Sequence, residues 1–246
     1  MAKPCYILAD VHLQPDTQHP INQAFRSFLT LWASQADAIY LLGDLFEAWV
    51  GDDLGLETYA QDIGAIKALS QQGVQVFIGT GNRDFLLKKA FYRATQSQAL
   101  DDISIQTIQG TDFILLHGDQ LCTDDLQYQK MRRWFHNPLI QWLFLKLPKT
   151  QRNKIGQQLR AKSATYSQQK PQQIMDVSNQ AVETLLNKHP NIEHLVHGHT
   201  HRPAIHHLEI NEQTKTRWVL GDWRPEARIL KIENGQPGLV PFNIKD

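Results

Sequence analysis

The sequence predicts an α/β fold with a mixed sheet or two packed sheets, carrying a helical insertion. Three observations lead there. Short β-branched or aliphatic runs alternate with longer stretches of helical period in the N-terminal half, and strand-like runs crowd the C-terminal half. Between them, 124 to 188 reads as helices alone.

The alternation begins with Cys-Tyr-Ile-Leu-Ala, followed by a helical stretch over 21–36. Ala-Ile-Tyr-Leu-Leu and Val-Gln-Val-Phe-Ile are the next two strand-like runs, followed by helical stretches over 56–72 and 85–94. Gly43-Asp44 and Gly81-Asn82 mark the turns after those runs. Further strands are predicted at 103–108, 113–117, 194–197, 217–221 and 228–232. The insertion has breaks near Asn137-Pro138, Pro148 and Pro171, where proline ends a helix. With no internal repeat or low-complexity tract, the simplest organisation is a single domain over 1–246 with the insertion inside it.

At 246 residues and 41% hydrophobic composition, the chain can fill a sizeable core. Cys5 and Cys122 lie far apart, without metal-type spacing, and read as buried thiols rather than a disulfide. The apolar run near the N-terminus is too short for a secretory segment, so a cytoplasmic location is expected. The formal net charge is zero, which by itself favours neither nucleic acid nor membrane. That average hides a segregation. Between Asp125 and Asp176 there are 10 of the 25 basic residues and no acidic one, so the rest has fifteen basic against 25 acidic residues, a net of −10.

The strand ends carry the chemistry. Asp10 and His12 follow the first strand, Asp44 the second, Asn82 the third, His117 the Phe-Ile-Leu-Leu strand, and His199 and His201 the strand at 194–197. In α/β folds such ends converge on one edge. Each motif alone is weak, but in combination they supply an oxygen- and nitrogen-rich donor set without thiolate. Such a set suits two borderline-hard divalent ions such as Mn²⁺, Fe²⁺ or Zn²⁺.

The ordered series Asp10-x-His12, Gly43-Asp44, Gly81-Asn82, His117-Gly118-Asp119 and Gly198-His199-Thr200-His201 resembles the calcineurin-type metallophosphoesterase superfamily over nearly the whole chain. The resemblance implies a sandwich of two mixed β-sheets flanked by helices. It also implies a division of ligands: Asp10, His12 and His201 to one ion, Asn82, His117 and His199 to the other, with Asp44 bridging and Mn²⁺ the expected metal. A hydroxide held between the ions would attack phosphorus, while Arg83 stabilises the developing charge. Many family members have a histidine after the Gly-Asn pair that can protonate the leaving group. Here Arg83 stands in its place, and arginine cannot act as an acid at neutral pH. The leaving group should therefore be one that needs little protonation, which a phosphate monoester leaving from a diphosphate fits.

The insertion adds Trp134, Phe135, Leu139, Ile140, Trp142, Leu143, Phe144, Leu145 and Leu147 among lysines and arginines. This could be an ordinary helical hairpin. The nearly continuous apolar run over 138–147 favours an interfacial lid against an anionic membrane surface. It is too short to span a bilayer and too aliphatic for a nucleic-acid platform.

With the motifs GNRDFLL, LLHGDQLCTDD, RAKS and IMDV added, the chain closely resembles the UDP-2,3-diacylglucosamine hydrolase family of Gram-negative lipid A synthesis. That resemblance implies a monomer, peripheral on the cytoplasmic face of the inner membrane. Its substrate contacts would be Asn82, Arg83, Asp125, Ser163, Ser167, Lys170 and His199. The alternatives are a phosphodiesterase for soluble nucleotides and a non-catalytic scaffold that binds a partner through the insertion.

Other polar residues are given structural parts. Asp52 and Asp53 shape a turn, Asp84 braces Arg83, and Asp119 orients a ligand imidazole. Gly198 frees the backbone to turn, and His197 is a strand residue beside the site. Trp223 either borders the substrate or packs in the core. His19, His136, His189, His194, His206 and His207 are surface or packing histidines.

Overall fold

The computed structural model describes residues 2–169, 176–224 and 226–243, the side chains of 164–169 excepted. In chain order the main elements are β1 (Cys5–Leu8), α1 (Pro20–Leu31), β2 (Ala38–Leu41), α2 (Asp52–Thr58), α3 (Ala60–Gln71), β3 (Gln75–Ile78), α4 (Lys89–Thr95), β4 (Gln98–Ala99), β5 (Ile103–Ile108) and β6 (Thr111–Leu116). There follow α5 (Leu126–Phe135), α6 (Pro138–Leu145), α7 (Lys149–Gln169), α8 (Asn179–Lys188), β7 (His194–His197), β8 (Ala204–Ile210), β9 (Gln213–Val219), β10 (Glu226–Glu233) and β11 (Gln236–Asn243).

They form two mixed sheets. One has the order β11-β10-β1-β2-β3-β4, the other β5-β6-β7-β9-β8. β1 runs parallel to β2 and β2 to β3, while β10 and β11 pair antiparallel beside them. In the second sheet β6, β7 and β9 are parallel.

Alternation along each central strand decides what it packs against. Cys5 and Ile7 face inward with Ala38, Tyr40, Phe113, Leu115, Val196 and Trp218, which makes the filling between the sheets. Tyr6 and Leu8 face outward, with Ile39 and Leu41, against Phe25 and Phe28 of α1 and Ile63 and Ile66 of α3. Both faces of β1 and β2 are buried, as their uninterrupted apolar runs require. α1 starts cleanly because Pro20 occupies its first turn and His19 Nδ1 accepts from the Ile21 amide.

Of the helices in the 124–188 stretch, α8 covers the second sheet: Val182, Leu185 and Leu186 pack on Ile114, Leu116 and Leu195. Helices α5 and α6 contain no fully buried residue. The insertion is fastened at its base. Arg152, almost wholly buried, donates to Asp53 at 2.9 and 2.5 Å, to the Val50 carbonyl at 2.6 Å and to the Leu147 carbonyl at 3.0 Å. Arg132 joins Asp102 and Asp119, and Lys149 joins Glu57. Asp53 thus ties α2 to α7 rather than merely shaping a turn. Asp52 caps α4, accepting from the amides of Lys88, Ala90 and Phe91.

Candidate dimetal and phosphate site

The parallel strands of both sheets end on the same edge of the sandwich, and seven expected donors stand there. Asp10, His12, Asp44, His199 and His201 all have φ between 50° and 69°. In that left-handed region a non-glycine side chain leaves the strand direction, which lets each of them turn back into the cluster.

One group is Asp10, His12 and His201. The Nε2 atoms of His12 and His201 face each other at 3.3 Å, and Asp10 Oδ1 lies 3.4 Å from His201 Nε2. Asp10 Oδ1 and His12 Nδ1 are buried without a hydrogen-bond partner. Burial pushes the His12 pKa down to about 2, with Arg83 adding to the effect, so the ring is neutral and one of its nitrogens keeps a lone pair. The Asp10 carboxyl is held below the usual range. Burial opposes that ionisation, but His201, His117 and His12 outweigh it.

The second group gathers around Asn82 and Asp44. Asn82 Oδ1 is 3.1 Å from His117 Nε2 and 3.0 Å from His199 Nδ1. Asp44 Oδ1 is 3.7 Å from His117 Nε2, and Asp10, Asp44 and His117 offer atoms all within 4.8 Å of one another. Asp10 therefore lies between the groups together with Asp44. His117 Nδ1 donates to the Leu42 carbonyl at 3.0 Å, which turns Nε2 inward toward Asn82 and Asp44. Burial lowers the His117 pKa, but Asp44, Asp10, Asp119 and Asp84 overcome it and raise it to about 9. The Asp44 carboxyl is pushed up to about 7, first by burial and then by Asp84 and Asp10. Crowded carboxylates and imidazoles with unpartnered buried atoms are the environment that divalent cations stabilise. The donor set fits two such ions.

Several supporting residues differ from their expected parts. Asp84 does not brace the Arg83 guanidinium; it accepts from the amides of Gly81, Leu45 and Asp44 at 2.7, 2.7 and 3.3 Å, locking two donor-bearing turns together. Asp119 touches no imidazole by hydrogen bond. It accepts from Tyr128 Oη and Arg132 Nε, both at 2.8 Å, and so anchors α5 beside the site. Gly198 has no positive φ; it is needed because a Cβ there would collide with Ala9 and Asp10. His197 is wholly buried, and its Nδ1 donates to the Gly198 carbonyl at 2.8 Å. Trp223 packs edge-on against Phe25 and Phe28 in the core.

Arg83 reaches the site as expected, its Nε 3.4 Å from Asp44 Oδ2 and its amide donating to Asp44 Oδ1 at 2.8 Å. Asp125 is buried and caps α5 by accepting from the Tyr128 amide at 2.9 Å. Ser163 is exposed on α7. Lys170 and the side chain of Ser167 lie outside the described residues. Four residues near the donors were not foreseen: Glu47, Tyr128, Arg160 and Asp222. Asp222 lies 3.5 Å from His201 Nδ1, and Gly221-Asp222 repeats the strand, glycine, aspartate pattern of Gly43-Asp44 that could have revealed it.

The chain is similar to known proteins over most of its length. The family model described as calcineurin-like phosphoesterase matches residues 3–203. A UDP-2,3-diacylglucosamine hydrolase of Serratia proteamaculans is 44% identical over 236 residues, covering 96% of this chain and 97% of that protein. The protein of the same name from Salmonella agona has the same identity and coverage. Among solved structures, a dimetal phosphatase from Danio rerio aligns over 99% of this chain and 96% of that chain with a TM-score of 0.55 at 13% identity, a likeness of fold. With a family match over most of its length and a relative this similar, the chain belongs to the calcineurin-like phosphoesterase family.

Proposed function

We propose that the chain hydrolyses UDP-2,3-diacylglucosamine at the uridine-linked phosphorus, giving UMP and 2,3-diacylglucosamine 1-phosphate. The observation that carries this reading is the 44% identity, over 96% of the chain, to hydrolases named for that substrate. Asp10, His12 and His201 would hold one divalent ion and Asn82, His117 and His199 the other, with Asp44 between them and Mn²⁺ as the metal. Bound there, the ions supply an acidified water and polarise the phosphoryl oxygens.

The chain's own residues do the rest. Arg83, fixed by Asp44, neutralises charge on the phosphoryl oxygens as water adds to the α-phosphorus. The bond from that phosphorus to the bridging oxygen breaks, and the oxygen leaves with its electron pair on the sugar phosphate. The water's proton passes to solvent. Such a leaving group needs no general acid, which agrees with an arginine at position 83. Asp125, Ser163, Ser167 and Lys170 are proposed as further contacts to the substrate.

No helix among the described residues is long and apolar enough to cross a membrane. The insertion does expose Trp134 (57%), Leu139 (64%), Trp142 (55%) and Leu143 (53%). This face is proposed to meet the cytoplasmic surface of the inner membrane, where an acylated substrate resides, with the chain acting as a monomer.

The test is UMP release from UDP-2,3-diacylglucosamine with Mn²⁺. The wild-type chain should release UMP and Asp44→Ala should not. Release that survives the substitution, or soluble dinucleotides cut as fast as the lipid, would sink the reading.

A further inference from the structure

Glu47, at the end of the turn that follows β2, binds two arginines from different parts of the chain. Its Oε2 accepts from Arg83 Nη1 at 2.6 Å. Its Oε1 accepts from Arg160 Nη2, and its backbone carbonyl from Arg160 Nη1. Arg83 belongs to the Gly81-Asn82 turn among the metal donors, whereas Arg160 comes from α7 of the insertion. The same carboxylate lies 3.9 Å from His12 Nδ1, so the trio borders the donor cluster.

The two guanidiniums share the Glu47 carboxylate, and Asp44, 3.4 Å from Arg83 Nε, belongs to the metal-donor cluster, so outside that cluster Glu47 is the anion they have in common. They sit close enough that Arg83, after burial, is the main influence depressing the Arg160 pKa. The side chains of Glu47, Arg83 and Arg160 remain 22, 24 and 29% exposed, so the group opens to solvent instead of filling a core. Arg83 Nη2 and Arg160 Nε have no partner among the described residues. Spare N–H groups on two arginines held together by one oxyanion suit a second, tetrahedral oxyanion.

An ester with one phosphorus is already served by the metal donors and Arg83. A second guanidinium becomes useful when the leaving group brings its own phosphate. We propose that Arg160 is a second phosphate-binding residue of the active site, and that Glu47 is a positioning residue that holds Arg160 and Arg83 as a pair for the leaving phosphate. The proposal rests on the diphosphate substrate class argued above. It makes recognition of the second phosphate depend on the insertion, since Arg160 and Ser163 are three residues apart on α7 and share a face.

The test uses the metal-loaded full chain and two probes, methylenediphosphonate and inorganic phosphate, with binding measured by calorimetry. Arg160→Ala should weaken methylenediphosphonate about tenfold or more, the loss of a charge-assisted hydrogen bond, and phosphate much less. Arg160→Lys should recover part of the loss, and it is the variant to be read if the alanine form does not fold. Glu47→Gln should lose affinity in the same direction. Combined with Arg160→Ala it should add less than it costs alone, because part of the action of Glu47 runs through Arg160 and only its hold on Arg83 remains.

Equal weakening of both probes, or losses that add in full, would overturn the proposal, as would a fall in metal content that accounts for the change. Failure of the substrate reading is separable. It would appear as no UMP release by the wild-type chain, while the dependence of probe selectivity on Arg160 persisted.

Discussion

A left-handed backbone costs a non-glycine residue on the order of 1–3 kcal/mol, yet Asp10, His12, Asp44, His199 and His201 all adopt it. That strain is supported by neighbours that leave no slack. A Cβ on Gly81 would stand 2.6 Å from the Asp44 amide nitrogen and 2.8 Å from His117 Cε1. One on Gly198 would stand 2.5 Å from the Ala9 Cβ and 3.3 Å from Asp10 Cγ. Gly81→Ala should therefore displace Asp44 and His117 together, lowering bound metal from two ions per chain towards one or none while the far-ultraviolet circular dichroism stays that of the folded chain. Full metal content in this variant would show that the turn can give way. The donor cluster was legible because the residue types with metal-binding atoms recur at successive strand ends. Glu47, Arg160 and Tyr128 were not, because their importance comes from contacts between segments remote in sequence, which no local spacing encodes. Gly198 was read with the wrong mechanism, since close approach and backbone freedom leave the same glycine in a sequence.

Among the elements, the insertion is less like a free lid than its composition implies. Arg152 is buried where α7 meets α2, and its guanidinium satisfies Asp53 and two carbonyls. Because Asp53 is itself half-exposed, with 49% of its side chain open, screening limits the pair, and most of the loss on removal comes from the two carbonyls left unpaired. Arg152→Ala should cost about 2 kcal/mol, a fall in Tm of about 5 °C for a chain of this size. It should also speed proteolysis within 126–169. An unchanged cleavage rate would mean that the other ion pairs suffice to hold the insertion. The central strands and the helices after them were readable from apolar runs and period, but β8 and β11 escaped. β8 reads Ala-Ile-His-His-Leu-Glu-Ile, and most of its residues lie at least partly open to solvent, so its apolar content is diluted. β11 contains Pro237, Gly238 and Pro241, tolerated because it is the edge strand of its sheet. Within the 124–188 stretch, α8 has the same helical period as its neighbours but buries its apolar face on the second sheet, a difference that period alone does not encode.

For the molecule as a whole, the basic residues of the 124–188 stretch divide into two sets. Arg132, Lys149, Arg152 and Arg160 of the basic segment are spent on Asp102, Asp119, Glu57, Asp53 and Glu47 of the acidic body. Lys130, Arg133, Lys146, Lys154 and Lys162 remain exposed. Of the eleven exposed large apolar side chains among the described residues, seven, from Leu126 to Leu159, are in the insertion. An apolar face rimmed by cations is the pattern of an interfacial element, with each cation near an anionic surface worth about 1 kcal/mol. Since the apolar term does not depend on ionic strength and the charge term does, the two can be separated. The chain should sediment with vesicles containing phosphatidylglycerol more than with neutral phosphatidylcholine vesicles, and raising the salt should narrow that difference without abolishing binding. Replacing Trp134, Trp142 and Leu143 with serine should lower the bound fraction at every salt concentration. If the triple variant sediments like the wild type, the exposed face is not what meets the bilayer, and the cations alone would have to account for the attachment.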